Sequence, residues 1–94
     1  MKTIFEWSFE KNKQLKEKRQ LSFEEIVNAV ESGKVLSLNS NKNYLNQKIL
    51  VVNIDNYAVS VPYVRKRNIF FLKTAYPDRK LTKTFKRQGG LKND

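Results

Sequence analysis

The clearest pattern of apolar residues is a helical stripe in the first third of the chain. Phe23, Ile26, Val27 and Val30 follow the spacing i, i+3, i+4, i+7, which places them on one face of a helix. Gly33 comes three residues after the last of them, where a helix commonly ends in the left-handed conformation. The pattern therefore predicts an amphipathic helix that ends before Gly33 and packs on a core.

Capping residues mark where this helix and an earlier one begin. Ser22 and Glu25 have the spacing of a capping box, which satisfies the free backbone N–H groups of a first helical turn. Ser8 is a plausible N-cap for a basic, weakly amphipathic helix over residues 9–19. Residues 3–7 are rich in β-favouring side chains and predict a short strand before it.

After Gly33 the period of the apolar residues changes to two, which predicts strands. The predicted strands cover residues 34–38, 47–54, 57–63 and 69–73. Asp55-Asn56 has the character of a two-residue hairpin turn, and residues 65–68 predict a charged turn. Pro62 has no N–H to donate. We therefore expect the end of the predicted strand 57–63 to lie at an edge or a bulge.

The last part of the chain predicts a short closing helix. Leu81 and Phe85 supply its apolar side, Pro77 stands at its first position or in the preceding turn, and Gly89-Gly90 ends it. We expect a single domain over residues 1–88 and a flexible tail over residues 89–94. The order β-α-α-β-β-β-β-α predicts an α+β fold, with two N-terminal helices packed on a small twisted antiparallel sheet.

Cysteine and histidine are both absent from the 94 residues. The sequence therefore offers no disulfide framework, no thiolate metal site and no His-containing catalytic triad. The acidic residues show no metal-ligand spacing, and we expect neither a metal nor a cofactor. The apolar runs are far shorter than the roughly 20 residues of a membrane span, and early charges argue against a signal peptide. We expect a cytoplasmic protein without membrane contact.

The net charge of +10 is concentrated at the end of the chain. Residues 65–94 carry ten Lys/Arg against two Asp, a net +8, whereas residues 1–64 carry nine basic against seven acidic side chains, a net +2. Such a basic segment attracts polyanions. Aromatic residues are interleaved with the cations, so we expect the charge to belong to folded structure.

Several strings resemble the BrnT-like toxins of bacterial type II toxin–antitoxin systems. The N-terminal resemblance is carried by Phe5-Glu6-Trp7, Lys11-Asn12 and Ser22-Phe23-Glu24-Glu25. Downstream, NQKILVVNID is similar to the central strand of the family, and FLKTAYPDRKLTKTF to its closing strand and basic helix. The resemblance covers about residues 4–86.

The resemblance implies a RelE/ParE-like fold and a ribonuclease or ribosome-associated mRNA-cutting activity. It also implies a partner, a cognate antitoxin with a ribbon-helix-helix DNA-binding domain. Two departures stand out. Many members carry Lys-His-Gly where this chain has Lys18-Arg19-Gln20, and Ser-Ala-Arg where it has Pro77-Asp78-Arg79. Because the histidine is missing, this chain cannot use a mechanism that depends on it.

Without histidine, cleavage of RNA by its own 2′-OH must rely on Arg, Lys and Tyr. Arg79 is the candidate for stabilising the phosphate, because its planar guanidinium can donate two hydrogen bonds to phosphate oxygens. Lys80, Lys73 and Tyr76 are candidates for proton transfer or orientation. Arg79 and Lys80 match the Arg-Lys position of the family, whereas Lys73 and Tyr76 are chosen by placement. The function expected is a metal-independent endoribonuclease that inhibits translation.

Further cations are candidates for binding RNA without taking part in its cleavage. They are Arg65, Lys66, Arg67, Lys83, Lys86, Arg87 and, in the first helix, Lys11. Each also has a plainer interpretation as a solvated charge, and Arg79 as a solvated residue at a helix start. Phe70 and Phe71 point to opposite faces of a strand, so one is expected in the core while the other is free to stack on a base. The alternative functions are a non-catalytic nucleic-acid-binding domain and an interaction module with a toxin-like fold.

Overall fold

The computed structural model describes residues 2–42 and 45–93, and it contains three helices and six strands within them. The strands are β1 (Ile4–Trp7), β2 (Val35–Ser40), β3 (Lys48–Ile54), β4 (Tyr57–Lys66), β5 (Ile69–Leu72) and the two-residue β6 (Tyr76–Pro77). The helices are α1 (Phe9–Lys18), α2 (Phe23–Glu31) and α3 (Arg79–Gln88). The order of elements expected from the sequence is confirmed, with β6 as an addition.

All six strands form one sheet with the order β1-β5-β4-β3-β2, and β6 pairs with β4 beside β5. The pairs β2–β3, β3–β4, β4–β5 and β4–β6 are antiparallel. β1 runs parallel to β5, with Ile4 opposite Ile69. The expected antiparallel sheet is therefore confirmed except at this edge. The edge is parallel because α1 and α2 carry the chain to the far side of the sheet, and β2, β3 and β4 then return it to β5 beside β1.

The main core lies between the sheet and the helices α1 and α2. Phe23 and Ile26 of α2 are fully buried against the inward side chains of β3, β4 and β5. The Trp7 ring packs against that of Phe23, with the ring centroids 5.6 Å apart. These contacts confirm the predicted apolar stripe of α2. We call this side of the sheet the helical-hairpin face.

A second, smaller core lies on the opposite side of the sheet, under α3. Val51 and Ala58 are buried there and meet Leu81 and Phe85 of the helix. Leu91 belongs to the same cluster and is only 4% exposed. The backbone N–H of Lys92 donates to Oδ1 of Asn56, and the Asn56 amide donates back to its carbonyl. Residues 91 and 92 of the expected tail thus pack on the domain.

Asn12 joins the two N-terminal helices. Its side chain is 5% exposed, its carbonyl oxygen accepts the backbone N–H of Phe23 at 2.8 Å, and its amide donates to Oε1 of Glu24 at 2.8 Å. The hydrogen bond that the Asn12 amide donates to Glu24 is the main reason that the pKa of this carboxyl lies below its usual range. Asn12 therefore supplements the capping of α2 by Ser22, whose Oγ accepts the N–H of Glu25 at 3.1 Å.

Replacing Asn12 with alanine is expected to lower the free energy of unfolding by about 1–3 kcal/mol, because the buried N–H of Phe23 loses its partner. Asn28→Ala is the matched control, since Asn28 is an exposed residue of α2, and it should change stability by less than about 0.5 kcal/mol. Urea denaturation measures both variants. Equal midpoints for Asn12→Ala and the wild type would contradict the bridging role.

Turn geometry confirms several local predictions. Asp55 and Asn56 have φ angles of 52° and 62°, the two left-handed residues of a tight hairpin turn. Gly33 after α2 has φ 76°, and Gly89 after α3 has φ 86°. Both helices thus end with a glycine in the left-handed conformation. Ser8 caps α1 by accepting the N–H of Lys11 at 3.3 Å.

Proline placement differs from the prediction. β4 is central in the sheet, and Pro62 pairs with Ile49 of β3. Its other side faces the gap between β5 and β6, where its carbonyl accepts the N–H of Lys73 at 2.9 Å. The nitrogen of Pro62 thus faces a position where no neighbouring strand needs a hydrogen-bond donor. Pro77 lies in β6 rather than in a helix, and Asp78 caps α3 by accepting the N–H of Leu81 at 3.0 Å.

The predicted charged turn at residues 65–68 is shorter in the structure. Arg65 and Lys66 extend β4, and the turn is made at Arg67 and Asn68, with φ 58° at Arg67. β2 is longer than predicted because it continues to Ser40 opposite Lys48. The predicted loop over residues 39–46 includes residues 43 and 44, which lie outside the described residues. No helix in the described part of the chain has the length and apolar character needed to cross a membrane.

Candidate nucleic-acid interface

Charge is distributed unequally between the two sides of the sheet. The helices α1 and α2 and their connection, residues 9–32, carry five Lys/Arg and five Glu, so their net charge is zero. α3 carries five cations and no acidic residue. The cations of α3 therefore make its side of the sheet basic.

The five cations of α3 form one stripe. At about 100° per residue they fall within an arc of about 120°, while Leu81 and Phe85 occupy the side that packs on the sheet. Thr82, which is 4% exposed, anchors the helix because its Oγ1 accepts the N–H of Ala58 at 2.9 Å. The members of this stripe, which we call the α3 basic stripe, are Arg79, Lys80, Lys83, Lys86 and Arg87.

A cavity of about 340 Å³ opens on the same side of the sheet, beside the start of α3. Lys73 and Tyr76, both predicted site residues, line it together. Its remaining lining residues are Asn41, Gln47, Ile49, Pro62 and Thr74. None of these side chains is acidic, so the cavity combines a cation, hydroxyls and amides without a group that repels phosphate.

The backbone that carries Lys73 and Tyr76 is held from both sides. The N–H of Lys73 donates to the carbonyl of Pro62, and Tyr76 pairs with Ser60 of β4. From the helical-hairpin face, Nη1 of Arg19 donates to the carbonyl of Ala75, which is fully buried. These bonds fix the connection between β5 and β6, so the cavity is preformed.

A second cavity, of about 380 Å³, lies on the same side of the sheet and shares Lys73 with the first. It is formed by β1, β5 and the end of β4, and Nζ of Lys73 lies 5.3 Å from the centre of the Phe71 ring. Its lining residues are Glu6, Val64, Lys66, Ile69, Phe71 and Lys73. We call the two cavities together the open face, because α3 leaves this part of the sheet uncovered.

The other predicted catalytic residues lie outside both cavities. Arg79 and Lys80 are exposed in the first turn of α3, a few residues after Tyr76 along the chain. A helix start favours anions over cations, so helix stability does not account for two cations there. The structure therefore brings Lys73 and Tyr76 into one cavity and places Arg79 and Lys80 at the start of the neighbouring helix.

The predicted RNA-binding residues divide between the two sides of the sheet. Lys83, Lys86 and Arg87 line a surface cavity of about 370 Å³ with Asn93. Lys66 lies on the open face. Lys11 belongs to α1, on the helical-hairpin face.

The side chain of Arg65 makes contacts within the domain. Its guanidinium lies 5.3 Å from the centre of the Phe70 ring, and its Nε donates to the carbonyl of Arg67 at 2.8 Å. Phe70 in turn stacks on Tyr63, with ring centroids 4.9 Å apart. Burial raises the pKa of the Tyr63 phenol. Phe70 is thus the member of the Phe70–Phe71 pair that joins the main core, and Phe71 faces the open side.

Sequence reasoning did not identify Asn41, Gln47 or Glu6 as residues of this face. Asn41 and Gln47 belong to a polar loop, and no local pattern shows that it folds back beside Lys73. Glu6 reaches the face through the parallel pairing of β1 with β5, in which it stands opposite Phe71. Among residues 2–42 and 45–93, no three acidic side chains come together in a way that could hold a metal ion.

The domain defined by these observations is an α+β domain with one neutral and one basic side. The chain matches no protein-family model, no curated protein and no solved structure. The features that bear on function are the lining of the open face and the positive charge of α3.

Proposed function

We propose that this protein binds RNA through the open face and the α3 basic stripe, and cleaves it as a metal-independent endoribonuclease. The observation that carries the proposal is the shared position of the two features. The α3 basic stripe and the cavity of Lys73 and Tyr76 lie on one side of the sheet, while the helices on the other side are neutral overall. RNA attracted by the stripe is thus delivered to the cavity.

Cleavage follows from the side chains available there. The 2′-OH of RNA attacks the adjacent phosphorus, the bond to the 5′ oxygen breaks, and a proton must leave the first oxygen and reach the second. Lys73 and Tyr76, which line the same cavity, are the side chains that we assign to these proton transfers. Arg79 and Lys80 supply positive charge for the phosphorane, which carries more negative charge than the ground state.

We infer further that the protein acts as the toxin of a type II toxin–antitoxin system in the cytoplasm. Support comes from the strings similar to BrnT-like toxins, and from two helices that precede a mainly antiparallel sheet, as the RelE/ParE-like fold requires. The partner would be a cognate antitoxin with a ribbon-helix-helix domain. An acidic antitoxin segment that folds on binding would cover the basic side and block RNA.

One observation favours a second candidate, a non-catalytic RNA-binding domain. The position at which many BrnT-like toxins carry histidine is occupied here by Arg19, and its guanidinium is used to hold the carbonyl of Ala75. The basic side alone is sufficient for binding without cleavage. The two candidates differ in whether purified protein cuts RNA.

The test is incubation of purified protein with a defined mRNA, with and without ribosomes, and measurement of growth after induction. We expect cleavage and growth arrest with the wild type, and a cleavage rate lower by about 10²–10³-fold with Arg79→Ala, the loss typical of removing one group that stabilises transition-state charge. Arg79 opposes the helix dipole, so its removal should not weaken the fold.

The control for Arg79→Ala is Lys34→Ala, which removes the same charge at an exposed residue that lies on neither cavity of the open face. We expect it to cleave like the wild type. Salt-dependent binding of RNA without cleavage in any condition would establish the second candidate instead. Absence of both binding and growth arrest would overturn the RNA function altogether.

A further inference from the structure

α3 covers only part of its side of the sheet. It packs over β2, β3 and the first half of β4, and leaves β1, β5 and the end of β4 open. The register places Glu6, Phe71 and Val64 in one row across these three strands, and Ile4, Ile69 and Lys66 in the next. Since neighbouring strands are about 4.8 Å apart, each row is about 10 Å wide.

Most of this uncovered surface is apolar. Ile4 is 45% exposed, and Val64, Ile69 and Phe71 are half-buried. Polar groups lie around them, with Lys66 and Lys73 as the cations and Glu6 as the acid. An aromatic ring on a strand, with cations at the rim, is the arrangement that binds the bases and the backbone of single-stranded nucleic acids.

We propose that the cavity around Phe71 is a base-binding subsite, in which one base of single-stranded RNA stacks on the Phe71 ring. The proposal rests on the proposed RNA function and names its substrate class. Lys66 and Lys73 meet the phosphates on either side of the stacked base. Val64, Ile69 and Phe71 make the centre of the cavity apolar, so the base rather than the charged backbone enters it.

The present contact of Lys73 with Phe71 does not prevent stacking. Its ammonium lies 5.3 Å from the ring centre, and Lys73 is exposed. An exposed cation–π contact contributes about 0.5–1 kcal/mol, whereas stacking of a base on an aromatic side chain contributes about 1–3 kcal/mol. A base therefore displaces the ammonium, which is then free to pair with a phosphate in the adjoining cavity of Tyr76.

Single strands are selected because only an unpaired base has a free face and can leave its neighbours. In an RNA duplex the bases are stacked on one another and the protein meets the backbone. The α3 basic stripe binds either form through its charge. The Phe71 subsite adds affinity for single strands alone, so the ratio of single-strand to duplex affinity reports on it.

The experiment measures binding of a labelled single-stranded 12-mer RNA and of a matched hairpin duplex by fluorescence anisotropy at two salt concentrations. Phe71→Leu is expected to weaken single-strand binding by about 5- to 140-fold. Duplex binding and the salt dependence should stay unchanged, because no charge is lost. Phe9→Leu is the matched control, since Phe9 is 81% exposed on α1 and should bind both RNAs like the wild type.

A second variant keeps the proposal open to test if Phe71→Leu is poorly folded. Phe71→Trp retains an aromatic surface, so it should bind the single strand at least as well as the wild type, and its indole fluorescence should be quenched by the RNA. Single-strand binding by Phe71→Leu within twofold of the wild type, or an equal loss for duplex and single strand, would overturn the subsite alone. Failure of the wild type to bind any RNA would overturn both the subsite and the proposed function.

Discussion

Lys73→Met is expected to reduce RNA cleavage by about 10²–10⁴-fold, the range that a positioned acid or base contributes, and to abolish growth arrest on induction. Lys73 is the one residue that lines both cavities of the open face. The substitution removes its ammonium and keeps a long unbranched side chain. Its backbone hydrogen bond to Pro62 is unaffected, so the fold should persist.

Cleavage rates under saturating RNA separate chemistry from binding for this variant. A loss in the rate constant larger than the loss in affinity indicates proton transfer by Lys73, because a phosphate contact alone mainly changes affinity. Lys34→Met carries the same charge change on an exposed residue away from the open face and should cleave normally. If Lys73→Met cleaves RNA at a third of the wild-type rate or more, Lys73 has no catalytic role.

Phe23→Ala is expected to lower the free energy of unfolding by about 3–5 kcal/mol, a large share of the 5–15 kcal/mol typical of a small domain. Phe23 is fully buried between α2, the sheet and the ring of Trp7. Truncation leaves a cavity that the surrounding strands cannot close. Urea denaturation followed by circular dichroism provides the midpoint and slope that give this difference.

Phe9→Ala is the control for this loss, because Phe9 is 81% exposed at the first position of α1. It removes the same side chain from water rather than from the core, so we expect a change below about 0.5 kcal/mol. A loss of less than about 1.5 kcal/mol for Phe23→Ala would show that the centre of the main core lies elsewhere.

Elements whose signals lie within a few residues were predicted well from the sequence. The N-cap at Ser22 and the stop at Gly33 are set by local backbone bonds, and Asp55-Asn56 makes a hairpin turn because both residues tolerate positive φ. Long-range pairing was not predictable in the same way. The parallel position of β1 beside β5 depends on how two helices and three further strands return the chain, which no local pattern encodes.

In the candidate site, too, residues close together along the chain could be predicted, whereas residues brought in by long-range pairing could not. Lys73 and Tyr76, which were chosen by their placement along the chain, line one cavity because only a short connection separates β5 from β6. The remaining polar lining comes from Thr74 of the same connection and from Asn41 and Gln47, which reach the cavity through the β2–β3 pairing. Pro62 was expected at an edge, yet it lies in a central strand, since the break between β5 and β6 removes the need for its N–H.

The parallel pairing of β1 also determines when the open face can form during synthesis. Ile4 has its partner at Ile69, so the first strand stays unpaired until most of the chain has been made. At about 5–20 residues per second, several seconds separate the synthesis of Glu6 from that of Phe71. A chain that stops before Ile69 therefore lacks Phe71, Lys73 and α3, and with them the surface to which we assign activity.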